Sequence, residues 1–256
     1  MDLHLKDKVA IISGGTKGIG AGIAEVLAEE GCKLILDYRS DKHIVGEDFV
    51  NEIKEKYGVE CYGIRADVSD PKEVVRIFDF AEEKFGHVDI LINNAGGAGS
   101  NLLCDITLEE WNYYLDNNIT QYFTMCKEFI SRALAKGNKG WICNVLSKAS
   151  LTTTTKGRAC YVTNKTAQMG LTKQITVDYA DQGITCNGIM PGSVVSYLGG
   201  SLPSKEMQEA RAQRSPIKRM GQPYEFGKMV AFLVSDQNGL SHGAPVDNTG
   251  GMMLGF

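Results

Sequence analysis

A doubly wound parallel α/β sheet in a single domain is the fold this sequence predicts, on three observations. Short apolar runs rich in β-branched residues alternate with longer amphipathic stretches along the chain. The first run, at 9–13, leads straight into Gly14-Gly15-Thr16-Lys17-Gly18-Ile19-Gly20, a glycine turn that opens a helical pattern. No linker, repeat or break in composition interrupts the alternation over 256 residues, a length that buries a substantial core.

After the glycine turn, Ile19, Ile23, Val26 and Leu27 share one helix face, and Gly31 is suited to end the helix. A second strand-like run covers 33–38, so strand, turn, helix and strand make a βαβ unit with a right-handed crossover. Free N–H groups and the helix dipole converge at such a turn, and glycines let a phosphate approach the backbone, as in Rossmann-type folds. A charged helix is expected over 43–57, then a strand over 61–65 and a turn at Ala66-Asp67-Val68. Pro71 starts a helix to about 85, with Ser69 or Asp70 to cap it. A buried strand at 88–93 runs into Asn94-Ala95-Gly96-Gly97, and a long helix over 107–136 opens on the capping box Thr107-Leu108-Glu109-Glu110. A strand over 140–146 ends at Ser147, the next helix reaches about 182, and a strand over 185–190 stops at Pro191-Gly192. Region 193–214 breaks the rhythm, either as a lid over a ligand site or as a loop covering a sheet edge. A helix over 224–234 and a strand over 244–248 close the chain, and ligands are expected at the carboxyl ends of the strands.

Composition narrows the function. A net charge of −4 and a pI near 5.7 give no reason to expect nucleic acid or an anionic membrane as partner. No run reaches the ~20 apolar residues a membrane helix needs, and the first six residues do not read as a signal peptide. The seven cysteines are scattered and form no Cys-x-x-Cys pair, so neither a metal site nor a disulfide framework is expected. They read as reduced side chains of a cytoplasmic protein.

One helical spacing carries chemistry. Tyr161 and Lys165 are four apart and share a helix face. A free tyrosine titrates near ~10, and a nearby cation stabilises its phenolate. Alone the pair reads as a solvated face; its meaning depends on the rest of the chain.

Taken together, these motifs resemble the short-chain dehydrogenases/reductases, in their single-domain branch, over residues 6–251. Ser13-Gly14-Gly15-Thr16-Lys17-Gly18-Ile19-Gly20 is similar to the family's cofactor turn, with Ser13 where Thr is usual. Asp67-Val68 matches the pair beside the adenine, and Asn93-Asn94-Ala95-Gly96 the motif that steadies the sheet and touches the cofactor. The resemblance implies Asn118, Ser147, Tyr161 and Lys165 as catalytic residues, and Pro191, Gly192, Val194 and Ser196 as the nicotinamide-side segment. Tyr161 would be the general acid in carbonyl reduction and the base in alcohol oxidation. Lys165 would lower the Tyr161 pKa and hold the ribose, Ser147 would donate to the substrate oxygen, and Asn118 would hold a water.

The cofactor is expected to be NADP(H), with NAD(H) as the alternative. An acid at the end of the second strand binds the ribose hydroxyls in NAD enzymes. Counted from Gly31, that position is Tyr38, and Asp37-Tyr38-Arg39-Ser40 resembles NADP-using relatives. Arg39 would meet the 2′-phosphate, with Lys17 adding charge. Ser147 and Tyr161 are fourteen apart, one more than many relatives have, and Thr152-Thr153-Thr154-Thr155 lies between them. The substrate is a small-molecule ketone or alcohol, with hydroxysteroids and 3-oxoacyl thioesters both open. A non-catalytic nucleotide sensor is the rival from another class. The resemblance also implies a homo-oligomer, tetramer or dimer, joined through the two long helices.

Overall fold

Strand Val9–Ile12 (β1) is buried along its whole length and alternates its side chains between two cores. Ala10 and Ile12 join one cluster, Val9 and Ile11 the other, which is the two-residue period of a strand covered on both faces. The chain is described here by a computed structural model that covers residues 2–39, 46–152, 155–195 and 203–253.

The remaining strands are Lys33–Tyr38 (β2), Cys61–Arg65 (β3), Ile90–Asn93 (β4), Gly140–Val145 (β5), Ile184–Pro191 (β6) and Pro245–Asn248 (β7). All pair in parallel, in the order β3-β2-β1-β4-β5-β6-β7. The order reverses direction beside β1 and β4, so a crevice opens at their carboxyl ends.

Helices Gly18–Glu29 (α1) and Gly46–Tyr57 (α2) cover one face. Helices Pro71–Phe85 (α3), Leu108–Leu115 (α4), Gln121–Ala135 (α5) and Ala159–Tyr179 (α6) come next along the chain, and α3, α5 and α6 pack on the other face. After β6 come Lys205–Gln213 (α7) and Pro223–Leu233 (α8), and α8 returns to lie against α1. Asp70, not Ser69, caps α3 by accepting from the Lys72 amide at 2.9 Å; Ser69 turns instead to Asp67. Thr107 caps α4, but the Glu110 side chain takes the Asn101 amide rather than closing the expected box. A capping box not anticipated from sequence, Gln222 with Glu225, starts α8.

The single helix expected over 107–136 is two helices joined by a π turn at Asp116–Thr120. One extra residue in that turn shifts the face of everything after it, and such turns cluster at functional sites. The region around 193–214 contains α7, and Val194 bridges Gly221; residues 196–202 lie outside the described residues, as do 40–45, 153–154 and 254–256.

Two buried asparagines mark the centre of the sheet. Asn93 and Asn144 are register partners at the ends of β4 and β5. Asn93 Nδ2 donates to Asn144 Oδ1 at 2.8 Å, and Asn144 Nδ2 to Thr172 Oγ1 on α6 at 2.9 Å.

Candidate active site

The glycine turn is shaped by contacts that exclude side chains. Gly14 and Gly18 have φ of +60° and +55°, in the left-handed region that favours glycine. A Cβ on Gly20 would run into the Gly14 carbonyl and lie 2.6 Å from Asn94 Nδ2. The turn is locked onto the end of β4: Asn94 Nδ2 donates to the carbonyls of Ser13 and Gly14 at 2.9 and 3.1 Å. The Ser13 hydroxyl accepts from the amides of Asn94 and Ala95 at 2.9 and 3.0 Å. Serine serves there because only the hydroxyl oxygen is used. Thr16 is buried, Ile19 is half-buried, and Lys17 is exposed in extended backbone just before α1. This cradle fits a dinucleotide pyrophosphate: bare backbone, positive φ and a helix N-terminus face one point.

Asp37 supports the turn from beneath. Its Oδ1 accepts from the Gly14 amide at 2.6 Å, and its carboxyl is 2% exposed. Burial raises its pKa to about 7 against the pull of that amide, with Asp67 pushing further up and Arg39 down. A carboxyl whose folded pKa exceeds its unfolded value binds more protons when folded. Its contribution to stability is therefore lost as pH rises from about 3.8 toward about 7. Asp37→Asn keeps an oxygen for Gly14 and removes the charge. Thermal unfolding of this variant is expected to show a gain over wild type at pH 8 that is smaller at pH 5 and gone below about 3.8; equal gain across this range would refute it.

Tyr38 is buried, its hydroxyl donating to Glu47 Oε1 at 2.7 Å and its ring filling the space beside Gly46. It thus supports α2, while Arg39 extends outward, its Nη1 donating to Asn117 Oδ1 at 2.8 Å and lying 3.6 Å from Asp67. Burial would raise the Asp67 carboxyl, but the Ser69 hydroxyl and amide, with Arg39, hold it below the ordinary value. Val68 is buried. Ser40 and Ser196 lie outside the described residues.

On the far side of the crevice Ser147, Tyr161 and Lys165 meet near the end of β5, and Asn118 sits beside the loop that follows β4. Ser147 follows β5, accepts from the Ala149 amide at 3.1 Å, and stands close enough to the Tyr161 phenol to lower its pKa. Lys165 is buried, with Nζ 6.0 Å from the centre of the Tyr161 ring. Its Nζ donates to the Val145 carbonyl at 2.7 Å, which also accepts from the Tyr122 hydroxyl at 3.0 Å. Asn118 sits on the π turn, fully buried, its Oδ1 accepting from Gly97 N at 3.2 Å and its Nδ2 donating to the Tyr114 carbonyl at 2.8 Å. A Cβ on Gly96 would lie 3.0 Å from that Oδ1. Gln121 clamps the same loop by donating to the Ala95 carbonyl at 2.9 Å, a contact nothing in the sequence announces. Among the described residues no direct hydrogen bond joins Asn118 to Lys165.

The electrostatics correct one expectation. Burial raises the Tyr161 pKa above its ordinary value; the Ser147 hydroxyl and the Arg158 charge pull it back down. Lys165 does not carry that lowering. Burial drives its own pKa down to about 7, so its ammonium is only partly populated at neutral pH. Arg158 was not anticipated. Pro191 ends β6, and Gly192 after it leaves no room for a side chain against the Thr249 backbone.

The family model described as Enoyl-(Acyl carrier protein) reductase matches residues 14–253. The 3-oxoacyl-[acyl-carrier-protein] reductase of Staphylococcus epidermidis is 34% identical over 248 residues, spanning 97% of this chain and 100% of that protein. The chain belongs to the short-chain dehydrogenases/reductases. Glucose 1-dehydrogenase 2 of Bacillus subtilis is 30% identical to it over 98% of this chain and 96% of its own. L-sorbose reductase from Gluconobacter frateurii, solved with NADPH and L-sorbose, superposes with TM-score 0.91 at 27% identity over 99% of each chain. Among the described residues of this short-chain dehydrogenase/reductase, no helix is long and apolar enough to cross a membrane.

Proposed function

We propose that the enzyme reduces a small-molecule ketone with NADP(H), or oxidises the corresponding secondary alcohol, and that Tyr161 handles the proton. The observation that carries this is the placement of Ser147 beside the Tyr161 phenol, with buried Lys165 over the ring, near the carboxyl end of β5. The nicotinamide, when bound, supplies the hydride. Tyr161, its pKa raised by burial, is protonated at neutral pH and donates to the oxygen on which negative charge develops. Ser147 donates to the same oxygen. Lys165 holds the ribose. Asn118 anchors the loop at 96–97 and keeps a path for proton replacement.

The glycine cradle, with Gly14, Thr16, Lys17, Gly18, Ile19 and Gly20, takes the pyrophosphate, and Asp67 and Val68 border the adenine. Asn94, Ala95 and Gly96, then Pro191, Gly192, Val194 and Ser196, complete the cofactor side. NADPH in the sorbose reductase and in an actinorhodin polyketide ketoreductase, TM-score 0.88, supports the choice of cofactor. The exposed Arg39 reaches the 2′-phosphate by leaving Asp67 and Asn117, a small loss for surface contacts. Arg39→Gln is expected to shift the NADPH/NADH ratio of kcat/KM about tenfold toward NADH, near 1.4 kcal/mol; an unchanged ratio would remove Arg39 from the site.

The test is a panel of ketones, 3-oxoacyl thioesters, sugars and hydroxysteroids with NADPH and NADH, following loss of the reduced-nicotinamide absorbance. Turnover of one class supports the reading; binding of NADPH with no turnover on any class favours a nucleotide sensor. Assembly as a cytoplasmic homo-oligomer is part of the same reading. Its support is the exposed Leu108, Tyr113, Phe123 and Val177 on α4, α5 and α6. Light scattering giving a monomer mass would refute it.

A further inference from the structure

We propose that Arg158 is a binding residue for an oxyanion on the substrate, so that the ketone or alcohol turned over here carries a carboxylate or phosphate a few bonds from the reacting carbon. The inference rests on the reading of Tyr161 given above and specifies the substrate class of that site.

Placement is the first observation. Arg158 is the N-cap of α6 and lies three residues before Tyr161, a spacing that sets two side chains on one helix face. Its charge acts on the Tyr161 phenol and also on Tyr114, whose ring packs against Gly99 and Gly97. It therefore stands between the reacting phenol and the loop that follows β4.

Unspent bonding capacity is the second. Arg158 is half-buried, and one nitrogen, Nη1, donates to the Gly99 carbonyl at 3.1 Å. A guanidinium offers five N–H donors in a planar fork that matches carboxylate or phosphate. Among the described residues no carboxylate lies within 4.0 Å of it. Glu110, the carboxylate that acts on Tyr114, already accepts from the Asn101 Nδ2 through both its oxygens, at 3.0 and 2.9 Å. A partly desolvated cation without a counter-ion gains from any anion delivered to it.

Charge distribution is the third. The chain holds 31 acidic residues and a net charge of −4, yet residues 90–104, 129–177 and 182–205 contain none. These are the segments running from β4, through β5 and α6, and from β6, whose carboxyl ends border the substrate. Lys148, half-buried directly after Ser147, then Lys156, Arg158 and Lys165 lie in the middle one. Strand ends poor in acidic residues leave the charge of Arg158 less opposed, which favours an anionic substrate.

Arg158 also clamps the loop at 97–101, since Gly157, at φ +76°, leaves no room for a side chain against the Ser100 carbonyl beside it. That clamp uses one donor and serves charged and neutral substrates alike. The two roles therefore separate in a ratio. The experiment measures kcat/KM with NADPH for oxo acids whose carboxylate lies one to four carbons from the ketone, each beside its methyl ester, and for a keto phosphate beside its neutral alcohol. Wild type, Arg158→Met, Arg158→Lys and Tyr161→Phe are compared. Wild type is expected to prefer one anionic compound over its neutral counterpart at least about tenfold, and the carboxylate and phosphate arms say which. Arg158→Met is expected to bring that ratio close to one, and Arg158→Lys to keep part of it. A wild-type ratio near one, or equal losses on charged and neutral partners in Arg158→Met, would overturn the proposal while leaving Tyr161 in place. No turnover of any carbonyl, or normal turnover in Tyr161→Phe, would overturn the reading beneath it.

Discussion

Tyr161→Phe is expected to lower turnover by about 10² to 10⁴-fold, the range over which a positioned acid contributes, while NADPH binds as before. The substitution removes one oxygen from a ring held by packing. The ring stays half-buried on α6, Lys165 keeps its bond to the Val145 carbonyl, and the glycine cradle lies across the crevice untouched. Only the transferable proton and the polar contact with Ser147 are lost. The pKa directions sharpen the expectation. Burial pushes the phenol up, so it is held in the form that can donate, which suits reduction at neutral pH. Reductive turnover measured against NADPH titration by fluorescence checks both halves. Near-normal turnover, or lost cofactor binding with normal folding, would remove Tyr161 from its role.

Gly22→Ala is expected to be strongly destabilising. Gly22 faces α8 where α1 and α8 cross, and a Cβ there would overlap the Pro223 carbonyl carbon and lie 2.5 Å from both the Pro223 oxygen and the Tyr224 amide. All three atoms are backbone, so no side chain can swing aside. Gly227 meets the Gly22 carbonyl from the opposite helix in the same way. Forced overpacking of this kind costs about 1–3 kcal/mol or more, and a chain of this size loses roughly 2–4 °C of Tm per kcal/mol. The expected drop is thus up to roughly 12 °C by differential scanning calorimetry. Separated helices carry α1 and its phosphate-facing end with them, so the KM for NADPH should rise too. An unchanged Tm would mean the helices do not touch here.

Much of this was legible because it is local. Alternation of β-branched runs with amphipathic stretches reports burial directly, and the cofactor turn announces itself through glycines at positions where φ is positive. Tyr161, Lys165 and Ser147 fell into one site because their strand and helix are adjacent in both sequence and space. What stayed hidden depends on contacts across the chain. The π turn at 116–120 looks like ordinary helix in sequence, since its five residues carry no helix breaker. The packing of Tyr38 against Gly46 and its bond to Glu47 are likewise contacts that its position in sequence does not announce. The source of the charge that lowers Tyr161 was misassigned for a similar reason. Sequence spacing gives proximity, but not the burial that lowers the Lys165 pKa to about 7, nor the charge of Arg158 acting on the phenol.

The bond from Asn93 to Asn144 and on to Thr172 has a consequence for how the sheet assembles. Parallel strands made of Ile, Leu and Val slide past one another with little to choose between alignments, because every apolar side chain fits every apolar neighbour. Shifting β5 by one residue against β4 would turn Asn144 to the opposite side and strand several amide groups in hydrocarbon. Each such orphan costs about 1–3 kcal/mol. The pair therefore works as an alignment pin. It admits one docking of the two central strands and penalises the rest before the carboxyl ends, and the residues they carry, are ever brought level.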